Sequence, residues 1–320
     1  MTKVAGTHTL PFFPSARPLS SPLMMQSVVG LVLVWLVSSI YGAAAFAHIA
    51  RATKRGASLN LAPAKKVHIL PTEEEVRAAV HSIVTNAAKS AIESRGHFAL
   101  AIPGGSVLKV LTSLEPEWDV SKMTLAFVNH KCVPIDDVKT AIEAQARAKF
   151  LDRWGATNVV SLGGTSNGEK EASEYEAKLK SLPESILPRD GDGFPVFDLA
   201  LVGVGDDGHI GSLYPKRGEI DVVDGPWVVP AFQKDPPSIS LTLPVMQRAK
   251  QTVISAAGKS EKYPNGKAGA MKLAIGEENI TPKDFPASAL RQSAVWILDE
   301  PNGSELGMGV SSVEKAVGDV

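Results

Sequence analysis

Short apolar runs that alternate with helix-length amphipathic segments constrain the fold of this chain more than any other feature of its sequence. The runs contain few polar residues, which is typical of strands that are buried on both faces of a parallel sheet. They are HFALAIPGG (97–105), TLAFVNH (124–130), NVVSL (158–162) and FDLALVGVG (197–205), and later WVVPAF, SISLTLP, QTVISAAG and AVWILDE. The alternation predicts an α/β fold with a doubly wound, mostly parallel sheet and helices on both faces, similar to a Rossmann fold.

The first helix of this fold is predicted from a capping box. Thr72 stands three residues before Glu75, a spacing that lets a hydroxyl cap the first turn of a helix. Apolar residues then recur at helical spacing until Gly96, a residue type that commonly ends helices. Because no repeat or long linker interrupts the chain after this helix, residues 71–320 are expected to form a single domain.

Charge is distributed unevenly along the chain. No aspartate or glutamate occurs before Glu73, whereas this first segment holds seven lysines and arginines, which leaves 26 basic and 34 acidic residues for the rest. An acidic body lacks the concentrated basic face that nucleic-acid binding needs, so no nucleic-acid partner is expected. Cys132 is the only cysteine, which excludes an internal disulfide and a site of the CxxC type.

The amino-terminal segment has the composition of a targeting sequence. The uncharged apolar run 27–40 is shorter than the roughly 20 residues of a membrane span, and Ala43 and Ala45 form a small-x-small cleavage pattern. Residues 1–45 are therefore interpreted as signal-peptide-like, and the basic, acid-free residues 46–70 as transit-peptide-like or disordered. This order predicts a plastid protein with no stable membrane association after cleavage; the alternatives are the secretory pathway or ER lumen, or an uncleaved signal anchor.

Gly104, Gly105 and Ser106 end one predicted strand and lead into a helix. Backbone N–H groups in such a turn can bind a phosphate, although many Gly-Gly turns between a strand and a helix serve only as turns. A second loop, VGVGDDGHIGSLYP, follows the strand at 197–205. Its His209 could take a proton from water near neutral pH, with Asp207 to orient the ring; alternatively, the residues cap a helix.

The chain resembles the 6-phosphogluconolactonase family, which is related to glucosamine-6-phosphate isomerases and deaminases. The resemblance rests on FALAIPGGS, FDLALVGVGDDGHIGSLYP, PPSISLTLP, NGKAGAMKLAI, DFPASAL and WILDE, in this order. It implies hydrolysis of 6-phosphoglucono-1,5-lactone in the oxidative pentose phosphate pathway, without a cofactor or metal. The expected partner is this phosphosugar lactone; the oligomeric state is not predicted.

The resemblance also implies roles for individual residues. His209 would be the general base and Asp207 its orienting carboxylate. Backbone N–H groups of the glycine loops are candidate donors to the oxyanion, without assignment to individual residues, and Gly205 and Gly208 are further possible site residues. Gly104, Gly105 and Ser106 would bind the phosphate together with a lysine, for which Lys267 fits the family's Gly-x-Lys pattern better than its competitor Lys259.

Two positions depart from the family pattern. Asn129, His130 and Lys131 stand where the family usually has Asp-Glu-Arg, and Ser238 stands where it usually has arginine. Lys131 could replace an arginine as a point charge, whereas His130 could donate to the substrate or be a satisfied loop histidine.

These departures leave open a non-catalytic or altered-specificity sugar-phosphate-binding protein. The deaminase interpretation is disfavoured because Asn129 replaces that branch's catalytic aspartate and Tyr214 replaces its glutamate.

Overall fold

The computed structural model describes residues 66–259, 263–277 and 279–318. The predicted targeting segment 1–45 and residues 46–65 lie outside these ranges. The strands of the described part are β1 Lys66–Leu70, β2 Phe98–Ile102, β3 Met123–Phe127, β4 Asn129–Lys131, β5 Leu199–Val202, β6 Val228–Ala231, β7 Ser238–Leu241, β8 Thr252–Ala256 and β9 Ala294–Asp299.

The helices of the same ranges are mostly short. They are α1 Glu73–Arg95, α2 Ser106–Thr112, α3 Ile142–Ala146, α4 Asp152–Trp154, α5 Gly168–Ser181, α6 Leu243–Arg248, α7 Ala268–Met271, α8 Glu300–Gly303 and α9 Val313–Gly318. A π-helical stretch, Arg147–Leu151, joins α3 to α4, and another, Lys272–Gly276, continues α7. Within the described residues, none of the helices is long and apolar enough to cross a membrane.

Six strands form a parallel sheet in the order β1-β9-β8-β5-β2-β3. This arrangement confirms the predicted α/β fold. The chain runs outward from β2 to β3 on one side, and β5 pairs with β2 on the other, so the direction of winding reverses between β2 and β5. Ligands of open parallel sheets bind outside the carboxyl ends of the strands at such a point.

Helix α1 forms as its sequence predicts. The Thr72 hydroxyl accepts a hydrogen bond from the Glu75 N–H at 3.2 Å, and Gly96 ends the helix in a left-handed conformation with φ of 82°. Val76, Val80 and other apolar side chains at helical spacing are fully buried against the sheet. Burying each such side chain contributes about 1.5–3 kcal/mol, so the apolar face of this helix contributes strongly to the stability of the core.

The structure corrects the predicted start of the domain and two of the predicted strands. Lys66–Leu70 is a strand of the sheet, paired with β9, so the boundary at residue 71 was placed too late. The run at 124–130 divides into two strands, because the chain leaves the parallel sheet after β3 and β4 pairs with β7 in an antiparallel sheet of order β4-β7-β6. The run at 158–162 contacts β3 through the single bridge between Leu125 and Val159.

His130 joins this second sheet to helix α3. Its ring is fully buried, Nε2 accepts a hydrogen bond from the Glu143 N–H at 2.9 Å, and Nδ1 donates to the Lys131 carbonyl at 2.7 Å. Burial lowers its pKa, although the nearby carboxylates of Glu143 and Glu171 oppose the shift. The prediction that His130 could donate to the substrate was wrong; it is a satisfied, neutral structural histidine.

His130 should make the protein less stable in mild acid. Because its folded pKa lies below that of the unfolded chain, about 6.5, the unfolded state binds more protons below that pH, and stability falls as pH decreases. One such group contributes a slope of at most about 1.4 kcal/mol per pH unit. We expect His130→Gln, which keeps an acceptor but does not titrate, to show a shallower decline between pH 7 and 5 in urea unfolding.

His97 provides the matched control, since burial lowers its pKa as well and its Nε2 lies 2.9 Å from the Thr124 hydroxyl, away from His130. His97→Gln should remove its own contribution without changing that of His130. Parallel pH curves for the wild type and His130→Gln would contradict the assignment of a buried neutral imidazole.

Candidate active site

Two loops meet at the carboxyl ends of β2 and β5, where the winding of the sheet reverses. The strands are adjacent and in parallel register, with Leu100 opposite Leu199, so the residues that follow them are brought to the same edge. Residues 103–106 of the first loop and residues 203–206 and His209 of the second line a cleft with a volume of 510 Å³. The fold therefore brings the two glycine-containing loops together at one cleft.

Two positions of the loop after β2 favour glycine, one for lack of space and the other for its backbone conformation. A Cβ on Gly104 would lie 2.8 Å from the Ile142 side chain, and Gly105 has a left-handed φ of 74°. Gly104, Gly105 and Ser106 all line the cleft. The loop thus presents its backbone to the cleft without side chains in the way, as binding of an anionic group requires.

His209 and Asp207 form a hydrogen-bonded pair. The His209 Nδ1 lies 2.6 Å from the Asp207 Oδ1, and the same oxygen accepts from the His209 backbone N–H at 3.2 Å. Because an ionised carboxylate can only accept, Nδ1 carries the proton and Nε2 is left as an acceptor. Partial burial opposes ionisation of Asp207, but the hydrogen bonds from the ring and backbone of His209 outweigh it and lower its pKa.

Gly205 and Gly208 shape the loop that carries this pair. A Cβ on Gly205 would lie 2.1 Å from the His209 ring, and one on Gly208, whose φ is 82°, would lie 2.4 Å from the Phe285 ring. Their N–H groups are used within the loop, by the His209 carbonyl at 2.8 Å and the Gly205 carbonyl at 2.9 Å. These two N–H groups are therefore already paired within the loop.

The antiparallel sheet supplies the opposite wall of the cleft. Lys131 on β4 and Ser238 on β7 are register partners, and both line the cleft with Asn129. The Asn129 side-chain amide donates to the Ser212 hydroxyl at 3.2 Å, which fixes its orientation. Lys131 therefore lies directly across from Ser238, which stands where the family usually has arginine. From this position the lysine can supply a positive charge in place of the missing arginine.

Lys267 lines both the cleft and a neighbouring cavity of 520 Å³, whereas Lys259 lines only the neighbouring cavity. The Lys267 ammonium donates to the Val204 carbonyl at 2.5 Å, and its backbone N–H donates to the Asn302 side chain at 2.7 Å. These contacts hold Lys267 beside the loop that carries His209. The geometry favours Lys267 over Lys259 as the lysine of the site.

Tyr214 and Lys234 are site residues whose role the sequence did not reveal. The Tyr214 ring packs on the His209 ring, with centroids 4.7 Å apart and planes tilted by 33°. The Lys234 ammonium lies 5.2 Å from the Tyr214 centroid, within cation–π range. Lys234 precedes Asp-Pro-Pro in a segment that reads as an ordinary surface loop, so no sequence signal indicated its position.

The state of the cysteine and the arrangement of possible metal ligands also limit the chemistry of the site. Cys132 is buried, and burial raises the pKa of its thiol to about 12, so the thiol is not ionised at neutral pH. Within the ranges that the structure describes, no group of three or more His, Cys, Asp or Glu side chains is arranged to hold a metal ion.

Comparisons with known proteins agree with this arrangement. Residues 71–297 match the family of glucosamine-6-phosphate isomerases and 6-phosphogluconolactonases. A 6-phosphogluconolactonase of Mycobacterium tuberculosis is 30% identical over 259 residues, which cover 75% of this chain and 98% of that protein. The chloroplastic 6-phosphogluconolactonase 3 of Arabidopsis thaliana is 29% identical over 254 residues, covering 76% of this chain and 75% of that protein.

A solved structure shows the same fold. The 6-phosphogluconolactonase of Trypanosoma brucei superposes with a TM-score of 0.62 over 77% of this chain and 100% of that one, at 19% identity. The family match spans both glycine loops, the His209 segment and most of β9. The chain therefore belongs to the family of glucosamine-6-phosphate isomerases and 6-phosphogluconolactonases.

Proposed function

We propose that the protein hydrolyses 6-phosphoglucono-1,5-lactone to 6-phosphogluconate, as a step of the oxidative pentose phosphate pathway. The observation that carries this proposal is the His209–Asp207 pair, which leaves Nε2 available as a proton acceptor beside a cleft lined by lysines. The relatives named 6-phosphogluconolactonase support the choice of substrate.

The reaction follows from the protonation state of this pair. His209 Nε2 takes a proton from water while the water oxygen bonds to C1, and the carbonyl electron pair moves to the carbonyl oxygen. When this oxyanion collapses, the bond between C1 and the ring oxygen breaks, and the imidazolium returns the proton to the ring oxygen. The carboxylic acid formed at C1 then releases the second water proton to solvent and becomes the carboxylate of 6-phosphogluconate. Asp207, ionised because of its lowered pKa, stabilises the imidazolium and keeps the proton on Nδ1.

The substrate phosphate is assigned to the loop after β2. The backbone of Gly104, Gly105 and Ser106 faces the cleft, and Lys267 provides a positive charge. Lys131 adds a second charge from the antiparallel sheet, opposite Ser238. A lysine contributes charge but not the bidentate geometry of arginine, so this site recognises phosphate chiefly by charge.

The composition of the cleft also supports a second candidate function. All basic residues that line it, apart from His209, are lysines. A site without a guanidinium fork could bind a phosphosugar other than the lactone, or bind one without reaction. This alternative predicts a folded protein that 6-phosphogluconate stabilises against heat but that does not accelerate lactone hydrolysis.

Replacement of the general base should separate these two functions. His209→Ala is expected to lower kcat by about 10²–10⁴-fold, since no acceptor would remain for the water proton. Asp207→Asn should lower kcat as well, because an amide can donate to Nδ1 and leave the proton on Nε2. The measurement is hydrolysis of freshly generated lactone above its spontaneous rate, with 6-phosphogluconate binding as the test of folding. Unchanged activity in His209→Ala would refute the mechanism.

Removal of one ammonium group should identify the phosphate lysine. We expect Lys267→Met to raise KM for the lactone by about 10–100-fold, the effect of losing one charged hydrogen bond to an anion. Lys259→Met, the matched control from the neighbouring cavity, should change KM less than about threefold. A larger effect at Lys259 than at Lys267 would reverse the assignment.

We also propose that residues 1–65 direct the protein to a plastid, in line with the composition of this segment and with the chloroplastic relatives of Arabidopsis thaliana and Oryza sativa. The full chain with a carboxyl-terminal fluorescent protein should colocalise with plastids in an alga with secondary plastids. The same fusion without residues 1–45 should remain in the cytosol. Retention of the intact fusion in the ER would favour the secretory alternative instead.

A further inference from the structure

The cleft holds more positive charge than the phosphate assignment uses. Four lysines and two aspartates line it, and Lys139 and Lys234 have no assigned role. In the part of the chain that the structure describes, Lys139 and Lys234 make no ion pair with a carboxylate. Ammonium groups that face a cleft without an ion-pair partner are available to bind an anion.

Of these two lysines, Lys234 contacts a side chain that packs on the general base. Its ammonium lies 5.2 Å from the centroid of the Tyr214 ring, and that ring packs on His209. A general base must lie within hydrogen-bond reach of the water it activates, so the attacked carbon has to bind near His209. Lys234 is thereby placed at the reacting end of the substrate.

The proposed reaction creates negative charge at this end. The carbonyl oxygen of the lactone is neutral, becomes an oxyanion on attack, and ends as part of a carboxylate, whereas the phosphate keeps its charge throughout. Gly205 and Gly208 do not supply donors, because their N–H groups are bonded within the loop. A cation at this end stabilises the transition state more than the neutral ground state, which is how electrostatic catalysis operates.

We propose that Lys234 forms an anion subsite that binds the carboxylate of the product and the oxyanion that precedes it. The identity of this ligand rests on the proposed function. Asp206 and Asp235 also line the cleft and moderate the positive potential, so the subsite should discriminate between ligands rather than bind anions strongly by itself.

Two ligands that differ only at this end test the proposal. Glucitol 6-phosphate has the phosphate and chain of 6-phosphogluconate but carries a hydroxymethyl group in place of the carboxylate. By calorimetry, we expect the full-length wild type to bind 6-phosphogluconate about tenfold more tightly than glucitol 6-phosphate. Lys234→Met should abolish this preference and leave the affinity for glucitol 6-phosphate nearly unchanged, while Lys234→Arg should retain the preference.

Two further variants separate the subsite from general charge effects. Lys149 is an exposed lysine of the π-helical stretch Arg147–Leu151, outside the cleft, so Lys149→Met makes the same charge change and should preserve the preference. Lys267→Met should weaken both ligands by a similar factor, because both carry the phosphate.

The subsite and the proposed function can fail independently. A Lys234→Met protein that still prefers 6-phosphogluconate, or that loses affinity for both ligands equally, would overturn the subsite even if the wild type hydrolyses the lactone. A wild type that does not hydrolyse the lactone but shows the preference, lost in Lys234→Met, would overturn the proposed function and leave the anion subsite in place.

Discussion

The pairing of β5 with β2 is the constraint on which the site depends. These two strands lie side by side although nearly 100 residues separate them, and their parallel register brings the loops that follow them to one edge of the sheet. In each loop a glycine allows close packing against a side chain from a distant part of the chain. Gly104 packs against Ile142, and Gly208 packs against Phe285. The sheet therefore sets the position of the His209–Asp207 pair in the cleft, whereas the contacts of the pair itself form within its own loop.

Features that depend on local sequence could be predicted. The runs at 98–102 and 199–202 are apolar at every position because both faces of the sheet are covered, and this pattern by itself indicates parallel strands. The same holds for the capping of α1 by Thr72 and for the pairing of Asp207 with His209, since these contacts join residues two or three positions apart.

Features that depend on distant contacts could not be predicted in this way. The run 124–130 contains no breaker, yet the chain changes sheets within it because β4 finds its partner in β7, more than 100 residues later. From the sequence, His130 is a candidate site residue, but in the structure its ring bonds the Glu143 N–H and the Lys131 carbonyl. Lys234 resembles a surface lysine in the sequence, but in the structure it contacts Tyr214, which packs on His209. In each case the deciding interaction was tertiary, and the local sequence carried no trace of it.

The order of the strands also bears on when the fold can be completed. Strand β1 is the first to be synthesised, but it lies at the edge of the sheet, where it pairs with β9, the last strand of the parallel sheet. Until the ribosome has released β9, the buried residues of β1 have no strand to pair with, and this long-range closure is slow to form. The segment that precedes β1 is thus joined to the part of the sheet that assembles last.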